Sequence, residues 1–344
     1  MSRRTASNAR VGVRHGAEIV AAGYALPSVV VNNNDFFERC EFAITDDPGK
    51  LISETRMKTR RWCAPDENPW TLTRQAVDDI MQRHPELREE IDVVVVSSGT
   101  TMPMSHPPEA ERPAMADIAP LVLQHLGRTD ALGLDIKACY CTGFIRGLQV
   151  VDGLLANPNI RAGLVISAEH GSRFATAPSN RSSFSFVAAD AAGAVVLKRA
   201  RWSDRSGLVD HYGHTEADKF NWVGIGDDAV SNVMMGSRAG EATARMLQHC
   251  ATTLLERNNL TPDDVDWLLP IQTHARVVDA LGESLSWPRE RLLWDGDVTG
   301  FSGSASIPAA LAQHLESGRV SKGDLILSVA VGAGMNCGGA LYYA

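Results

Sequence analysis

Cysteine is the residue type in this chain best suited to forming a covalent bond to a substrate, and Cys141 has the most suggestive surroundings. It lies in Ala138-Cys-Tyr-Cys-Thr-Gly-Phe144, between a short apolar run at 132–136 and an amphipathic stretch at 144–155. A strand followed by a helix is expected there, with Cys141 at the elbow just before the Thr142-Gly143 turn. Backbone N–H groups at a helix start and the positive end of its dipole favour a thiolate, the nucleophilic form. Cys139 is a rival on position alone, because two residues apart on a strand share a face. The six cysteines, at 40, 63, 139, 141, 250 and 337, form no C-x-x-C pair, so no metal site and no dithiol centre is expected. The others read as buried, inert thiols.

The elements that must position Cys141 follow a regular order. Apolar runs at 93–96, 132–136, 164–166 and 194–197 alternate with helix-period segments at 72–84, 114–126 and 144–155. This predicts an α/β fold with a mainly buried sheet. After a polar, Gly-containing stretch at 203–237 the pattern restarts, with helices at 241–257, 277–285 and 307–315 and strands at 267–269, 325–331 and 340–343. The ends of the two parts also match: Leu164-Val-Ile-Ser precedes Ala191-Ala-Gly-Ala-Val-Val-Leu, and Leu325-Ile-Leu-Ser precedes Gly338-Gly-Ala-Leu-Tyr. An internal duplication is the reading, with a leader at 1–16, an N-terminal half at 17–200 carrying the elbow, and a C-terminal half at 201–344. Two unrelated α/β domains are the alternative.

Composition narrows the function. With 33 basic against 41 acidic residues the formal net charge is −8, which gives nucleic-acid binding no support. One basic cluster, Arg56, Lys58, Arg60 and Arg61, could meet an acidic carrier or a nucleotide-bearing cofactor. The first residues carry Arg3, Arg4, Arg10 and Arg14 without an apolar core, unlike a signal peptide. No run of about 18 apolar residues suggests a membrane span, and a cytoplasmic protein is expected.

Several motifs resemble those of ketoacyl synthase III enzymes of the thiolase superfamily. Cys141-Thr-Gly-Phe followed by Gly147-Leu is similar to that family's nucleophile elbow, and Ala22-Gly-Tyr-Ala-Leu-Pro to its opening strand and turn. Further matches are Ala188-Ala-Asp-Ala-Ala-Gly-Ala, Trp267-Leu-Leu-Pro-Ile-Gln, Gly300-Phe-Ser-Gly-Ser-Ala-Ser-Ile-Pro and the closing Val331-Gly-Ala-Gly-Met-Asn-Cys-Gly-Gly-Ala-Leu. The resemblance spans residues 17–344. It implies a five-layer α-β-α-β-α fold, assembled as a homodimer, with a heterodimer with a related subunit as the other arrangement. It also implies an acyl group passed from coenzyme A or acyl carrier protein to the cysteine. A histidine and an asparagine then assist decarboxylation of a malonyl unit, whose carbanion attacks the acyl-enzyme.

This sequence departs from that pattern. Ile271 stands at the family's histidine and Phe301 at its asparagine, and neither side chain can donate a hydrogen bond. Removing one oxyanion donor typically costs about 100 to 1,000-fold in rate. His274, in Gln272-Thr-His-Ala-Arg where the family has an asparagine, is the candidate substitute, a general base able to deprotonate an acceptor. A helix-start histidine that caps backbone groups is the plainer alternative. The Gly-rich segment around Gly334 lacks the Lys-Ser/Thr of a phosphate loop. Its expected task is to supply an N–H at Gly334 or Met335 as oxyanion donor, together with that of Cys141.

On the donor side, the resemblance places Arg173 at an arginine that binds the coenzyme, whereas Leu51 replaces the family's adenine-stacking tryptophan. Half of that grip is missing, which favours a carrier-protein thioester. No cofactor is expected to be permanently bound, with acyl-CoA or acyl-phosphopantetheine as substrate. Residues 102–113 exceed the family's loop in length and point to a changed acyl pocket. Glu169 and His170 read as solvated loop groups, and His211 and His214 as surface residues.

Three functions follow. The favoured one is an acyltransferase that forms an acyl-Cys141 thioester and passes the acyl group to a carbon, oxygen or nitrogen nucleophile, in fatty-acid, polyketide or other secondary metabolism. The others are a decarboxylative condensing enzyme using His274, and a non-catalytic partner subunit.

Overall fold

Runs of β-branched residues and helix-period segments build two sheets and the helices that cover them, in a computed structural model that describes residues 16–40, 47–100, 117–136, 140–176, 183–200, 205–225, 232–234 and 236–344. The strands are β1 (Ala17–Ala25), β2 (Val29–Asn32), β3 (Thr59–Trp62), β4 (Ile91–Ser97), β5 (Leu132–Ile136), β6 (Ala162–His170), β7 (Asp190–Arg199), β8 (Leu208–Thr215), β9 (Val223–Ile225), β10 (Asn232–Met234), β11 (Trp267–Pro270), β12 (Leu325–Gly332) and β13 (Asn336–Tyr343). The helices are α1 (Asn33–Arg39), α2 (Pro48–Thr55), α3 (Pro69–Arg83), α4 (Ile118–Leu126), α5 (Gly143–Leu155), α6 (Ser172–Ala175), α7 (Ser183–Val187), α8 (Gly236–Arg257), α9 (Ala275–Ser284), α10 (Gly296–Thr299) and α11 (Ser306–Glu316).

Local chemistry sets their limits. Helix α3 starts with Pro69 behind Asn68, whose side chain accepts from the Trp70 and Thr71 amides while Thr71 returns the bond to the Asn68 N–H. That reciprocal capping satisfies donors the helix start would leave unpaired. Strand β4 carries four consecutive valines, all buried, as a strand covered on both faces requires.

One sheet runs β1-β7-β6-β4-β5 and the other β8-β13-β12-β11 when read from the matching edge. The pairings repeat along both: β1 with β7 and β8 with β13 are antiparallel, as are β7 with β6 and β13 with β12, whereas β6 with β4 and β12 with β11 are parallel. The parallel neighbour β5 has a counterpart in the bridge Leu268 to Leu292. The two halves therefore share a topology as well as an order of elements.

Helices α3 and α4 cover the outer face of the first sheet, and α8 with α9 covers that of the second. Helices α5 and α11 lie between the sheets. Strand β13 touches both sides through two glycines: a Cβ at Gly338 would lie 3.3 Å from Ile145 of α5, and one at Gly339 only 2.7 Å from Leu254 of α8. The result is the five-layer α-β-α-β-α arrangement, with the elbow in its middle layer. The segment at 203–237, expected to be polar and irregular, in fact contains β8, whose apolar start Leu208-Val209 pairs with β13.

Candidate active site

Cys141 lies in the one-turn helix Tyr140–Thr142 that leads into α5. Cys139 and residues 102–113 lie outside the described residues. Tyr140 takes a left-handed φ of 40°, a conformation that costs a non-glycine residue about 1–2 kcal/mol. Two features hold the chain in it. Gly143 packs so closely on β4 that a Cβ would lie 2.7 Å from Ser97 Cβ and Oγ. Helix α5 buries Phe144, Ile145, Leu148, Val151 and Leu155, each worth about 1.5–3 kcal/mol in transferred apolar surface. The elbow is anchored from below and cannot relax independently.

Cys141 is partly buried against the central apolar cluster. Burial pushes its thiol up to about 12, the nearby Glu169 charge adds to the rise, and a bond from its own backbone N–H offsets only part of it. The thiolate expected from the helix start is thus not the resting form. Desolvation and a like charge outweigh the one backbone hydrogen bond that favours the thiolate.

Glu169 was expected in solvent, but it is 2% exposed. Its carboxyl accepts from the Gly99 N–H (3.1 Å), the Thr100 N–H (3.0 Å) and hydroxyl (2.5 Å), and the Ser304 N–H (3.3 Å) and hydroxyl (2.5 Å), with the Ser98 hydroxyl at 3.4 Å. Burial raises its pKa, and these donors counter the rise in part. Glu169 therefore ties β6 to the segment after β4 and to the turn before α11, beneath the elbow. It is the site group that sequence reasoning underrated, because its donors come from positions remote in the chain.

Ile271 and Phe301, expected to depart from the family pattern, both belong to the core. Ile271 is 1% exposed and its N–H donates to Val329 O at 2.8 Å. Phe301 is 7% exposed, exchanges backbone bonds with Val187 and Ala189, and packs edge-on against Phe184 with ring centroids 5.6 Å apart. Both belong to the apolar cluster that Cys141 touches. His274 stands at the start of α9 with its Nδ1 buried and without a hydrogen-bond partner among the described residues, and burial lowers its pKa. The charges acting on it are Arg276 and Glu54. Beside it, an open groove of about 500 Å³ is lined by Glu54, Arg56, Ala275, Arg276 and Asp279.

Of the two oxyanion candidates on the last loop, Gly334 spends its N–H on Val223 O at 3.2 Å, which is a correction to its expected role. Met335 is buried and takes a left-handed φ of 49°. Arg173 is half-buried, with its guanidinium donating to Thr100 O at 3.3 Å. The basic cluster is not one patch. Arg56 pairs with Asp279 and Lys58 with Asp297, whereas Arg60 is fully buried between the Phe36 and Phe186 rings. Alternation along β3 sends Arg60 inward, where burial lowers its pKa to about 10. Leu51 is buried on α2 and offers no stacking surface. His211 is half-buried near Gln149 and Asp152, not on the surface, while His214 is exposed. No described helix is long and apolar enough to cross a membrane.

Comparison with known proteins agrees with this architecture. Residues 134–216 match the family of 3-oxoacyl-[acyl-carrier-protein] synthase III, and residues 255–344 match its C-terminal family. The beta-ketoacyl-[acyl-carrier-protein] synthase III of Alkalilimnicola ehrlichii is 31% identical over 338 residues, covering 94% of this chain and 98% of the relative. The crystal structure of 3-oxoacyl-[acyl-carrier-protein] synthase III from Aquifex aeolicus superposes with a TM-score of 0.83 at 27% identity, covering 96% of this chain and all of that one. The priming β-ketosynthase of the R1128 polyketide pathway shares the fold, with a TM-score of 0.82 at 24% identity over 98% of both chains.

Proposed function

Because the chain belongs to the 3-oxoacyl-[acyl-carrier-protein] synthase III family, we propose that it is an acyltransferase that works through an acyl-Cys141 thioester without malonyl decarboxylation. The observation that carries this reading is the elbow with its thiol kept while Ile271 and Phe301, which the resemblance aligns with the decarboxylation donors, are both buried in the apolar cluster that Cys141 touches. An apolar wall at those two places gives a malonyl enolate no donor.

In the first step Sγ of Cys141 attacks the carbonyl of an acyl carrier protein or coenzyme A thioester. The donor's C–S bond breaks, and the Cys141 proton ends on the departing thiol. The N–H groups of Cys141 and Met335 are the proposed oxyanion donors. In the second step a carbon, oxygen or nitrogen acceptor attacks the acyl-enzyme, loses its proton to His274, and Cys141 returns as leaving group. His274 is suited to accept a proton at neutral pH because burial holds its imidazole neutral. The homodimer, the cytoplasmic location and Arg173 as a contact for the phosphopantetheine belong to the same reading.

Intact-mass measurement after incubation with a panel of acyl-CoA and acyl-carrier thioesters tests it. One acyl adduct per chain is expected, absent in Cys141→Ala, with no labelled carbon dioxide released from a malonyl thioester. Carbon dioxide release at the acylation rate would favour the decarboxylative reading. An unacylated Cys141 throughout the panel would favour a non-catalytic subunit.

A further inference from the structure

We propose that Cys63, His170 and Asp190 bind one zinc-class divalent cation, at a site separate from Cys141. A thiol sulfur, an imidazole nitrogen and a carboxylate oxygen lie there within 4.8 Å of one another. Three segments bring them together: Cys63 follows β3, His170 ends β6 and Asp190 opens β7. His170 is directly opposite Asp190 in the antiparallel register, and opposed residues project to the same face of a sheet. Alternation along β6 then turns Glu169 to the elbow side and His170 to the other. One strand end thus serves two sites.

The carboxylate is already oriented. Asp190 is fully buried and accepts from the Cys63 N–H, the Ser172 N–H and the Ser172 hydroxyl, each at 2.7 Å. Ligating groups are held by such outer hydrogen bonds, which fix their direction. His170 Nε2 lies 3.9 Å from Asp190 Oδ2, too far for a hydrogen bond. Two ligands on a tetrahedral ion with bonds of about 2.0–2.2 Å would be about 3.4 Å apart, so a small side-chain adjustment closes the site. His170 Nδ1 is buried with no hydrogen-bond partner among the described residues. No hydrogen bond thus fixes the ring on that side.

Chemistry selects the ion. Sulfur and nitrogen donors disfavour magnesium and calcium, and a mixed thiolate, imidazole and carboxylate set suits zinc. Binding replaces the Cys63 proton, which goes to solvent, and one thiolate with one carboxylate neutralises a divalent charge away from water. Three protein ligands leave a fourth position for water or another ligand.

The test uses the full chain, stripped with a chelator and titrated with zinc against a chromophoric competitor, and with cobalt to read its thiolate charge-transfer absorption. One ion per chain is expected, with the cobalt band present. Cys63→Ser removes the band and weakens zinc by about 100-fold or more, since losing a ligand should cost at least as much as losing an outer partner. His170→Ala weakens zinc similarly, and Cys141→Ser leaves both readouts unchanged. Circular dichroism of the metal-free variants checks that they fold, and His170→Gln replaces any that do not. Absence of binding tighter than millimolar, or a stoichiometric site that survives both Cys63→Ser and His170→Ala, overturns the proposal.

Discussion

The elbow thiol is the place where the structure makes a quantitative demand. With its pKa at about 12, Cys141 at pH 7.5 carries a thiolate fraction of about 3 × 10⁻⁵, against about 10% for a free cysteine of pKa 8.5. A more basic thiolate is a better nucleophile, with a Brønsted slope of about 0.4–0.5, which returns about 40-fold over that interval. Alkylation of Cys141 by iodoacetamide should therefore run about 100-fold slower than that of a small free thiol at pH 7.5. Its rate should rise about tenfold per pH unit up to pH 10 without a plateau. Peptide mass spectrometry, which separates Cys141 from the other cysteines, reads this directly. Glu169→Gln removes the carboxylate charge that raises the thiol and should move the profile to lower pH, while the amide's misfit against three backbone N–H donors lowers stability by about 1–3 kcal/mol. A plateau with a midpoint below pH 9 in the unmodified protein would refute the reasoning, because the elbow would then stabilise the thiolate after all.

Other consequences can be checked singly. Introducing Ile271→His with Phe301→Asn should produce carbon dioxide release from a malonyl thioester where the parent shows none, at a stability cost of about 1–3 kcal/mol for each buried polar group left unpaired; an unchanged rate in a folded variant counts against the role given to those positions. Gly143→Ala should cost about 1–3 kcal/mol in denaturant unfolding and slow acylation, since its methyl meets Ser97 at 2.7 Å. The His274 imidazole, lowered by burial, should titrate by NMR below pH 6.5. Its neutral form is the one the fold accommodates, so its contribution to stability is present above the unfolded pKa and is lost as pH falls through the folded one; a midpoint above 6.5 contradicts this. Asp92 is held well below the usual carboxylate range by its bonds from Arg161 and Arg128. Its contribution is present above about pH 4 and lost on further acidification, and Asp92→Asn should flatten the acid limb of the stability profile.

Elements whose residues carry their own pattern were legible from the chain. The four valines of β4, the apolar face of α5 and the repeated strand segments at 164–167 and 325–328 announce themselves locally. Strand β8 did not, because Leu-Val-Asp-His-Tyr-Gly-His-Thr has only a short apolar start and lies at a sheet edge, paired on one side by β13. The antiparallel pairing of β2 with β3 was hidden by its arginines, of which Arg60 turns inward onto two phenylalanine rings. Glu169 looked solvated because nothing near it in the chain reveals the donors at Gly99, Thr100 and Ser304. Cys63, His170 and Asp190 carry no ligand spacing, since sheet register brings the last two together and the segment after β3 adds Cys63.

The sequence by itself determined the α/β class, the duplicated order of elements and the position of Cys141 at a strand-to-helix elbow, because periodicity and turn residues act within a few positions. It also showed that the side chains of Ile271 and Phe301 cannot donate hydrogen bonds, which follows from residue type alone. Only the tertiary structure decided the state of the thiol. Whether Cys141 rests as thiol or thiolate depends on how much water its neighbours exclude and on the Glu169 charge 28 positions along the chain. Those are sums over segments that meet only in the folded middle layer, and here they push the thiol up where a reading along the chain expects it lowered.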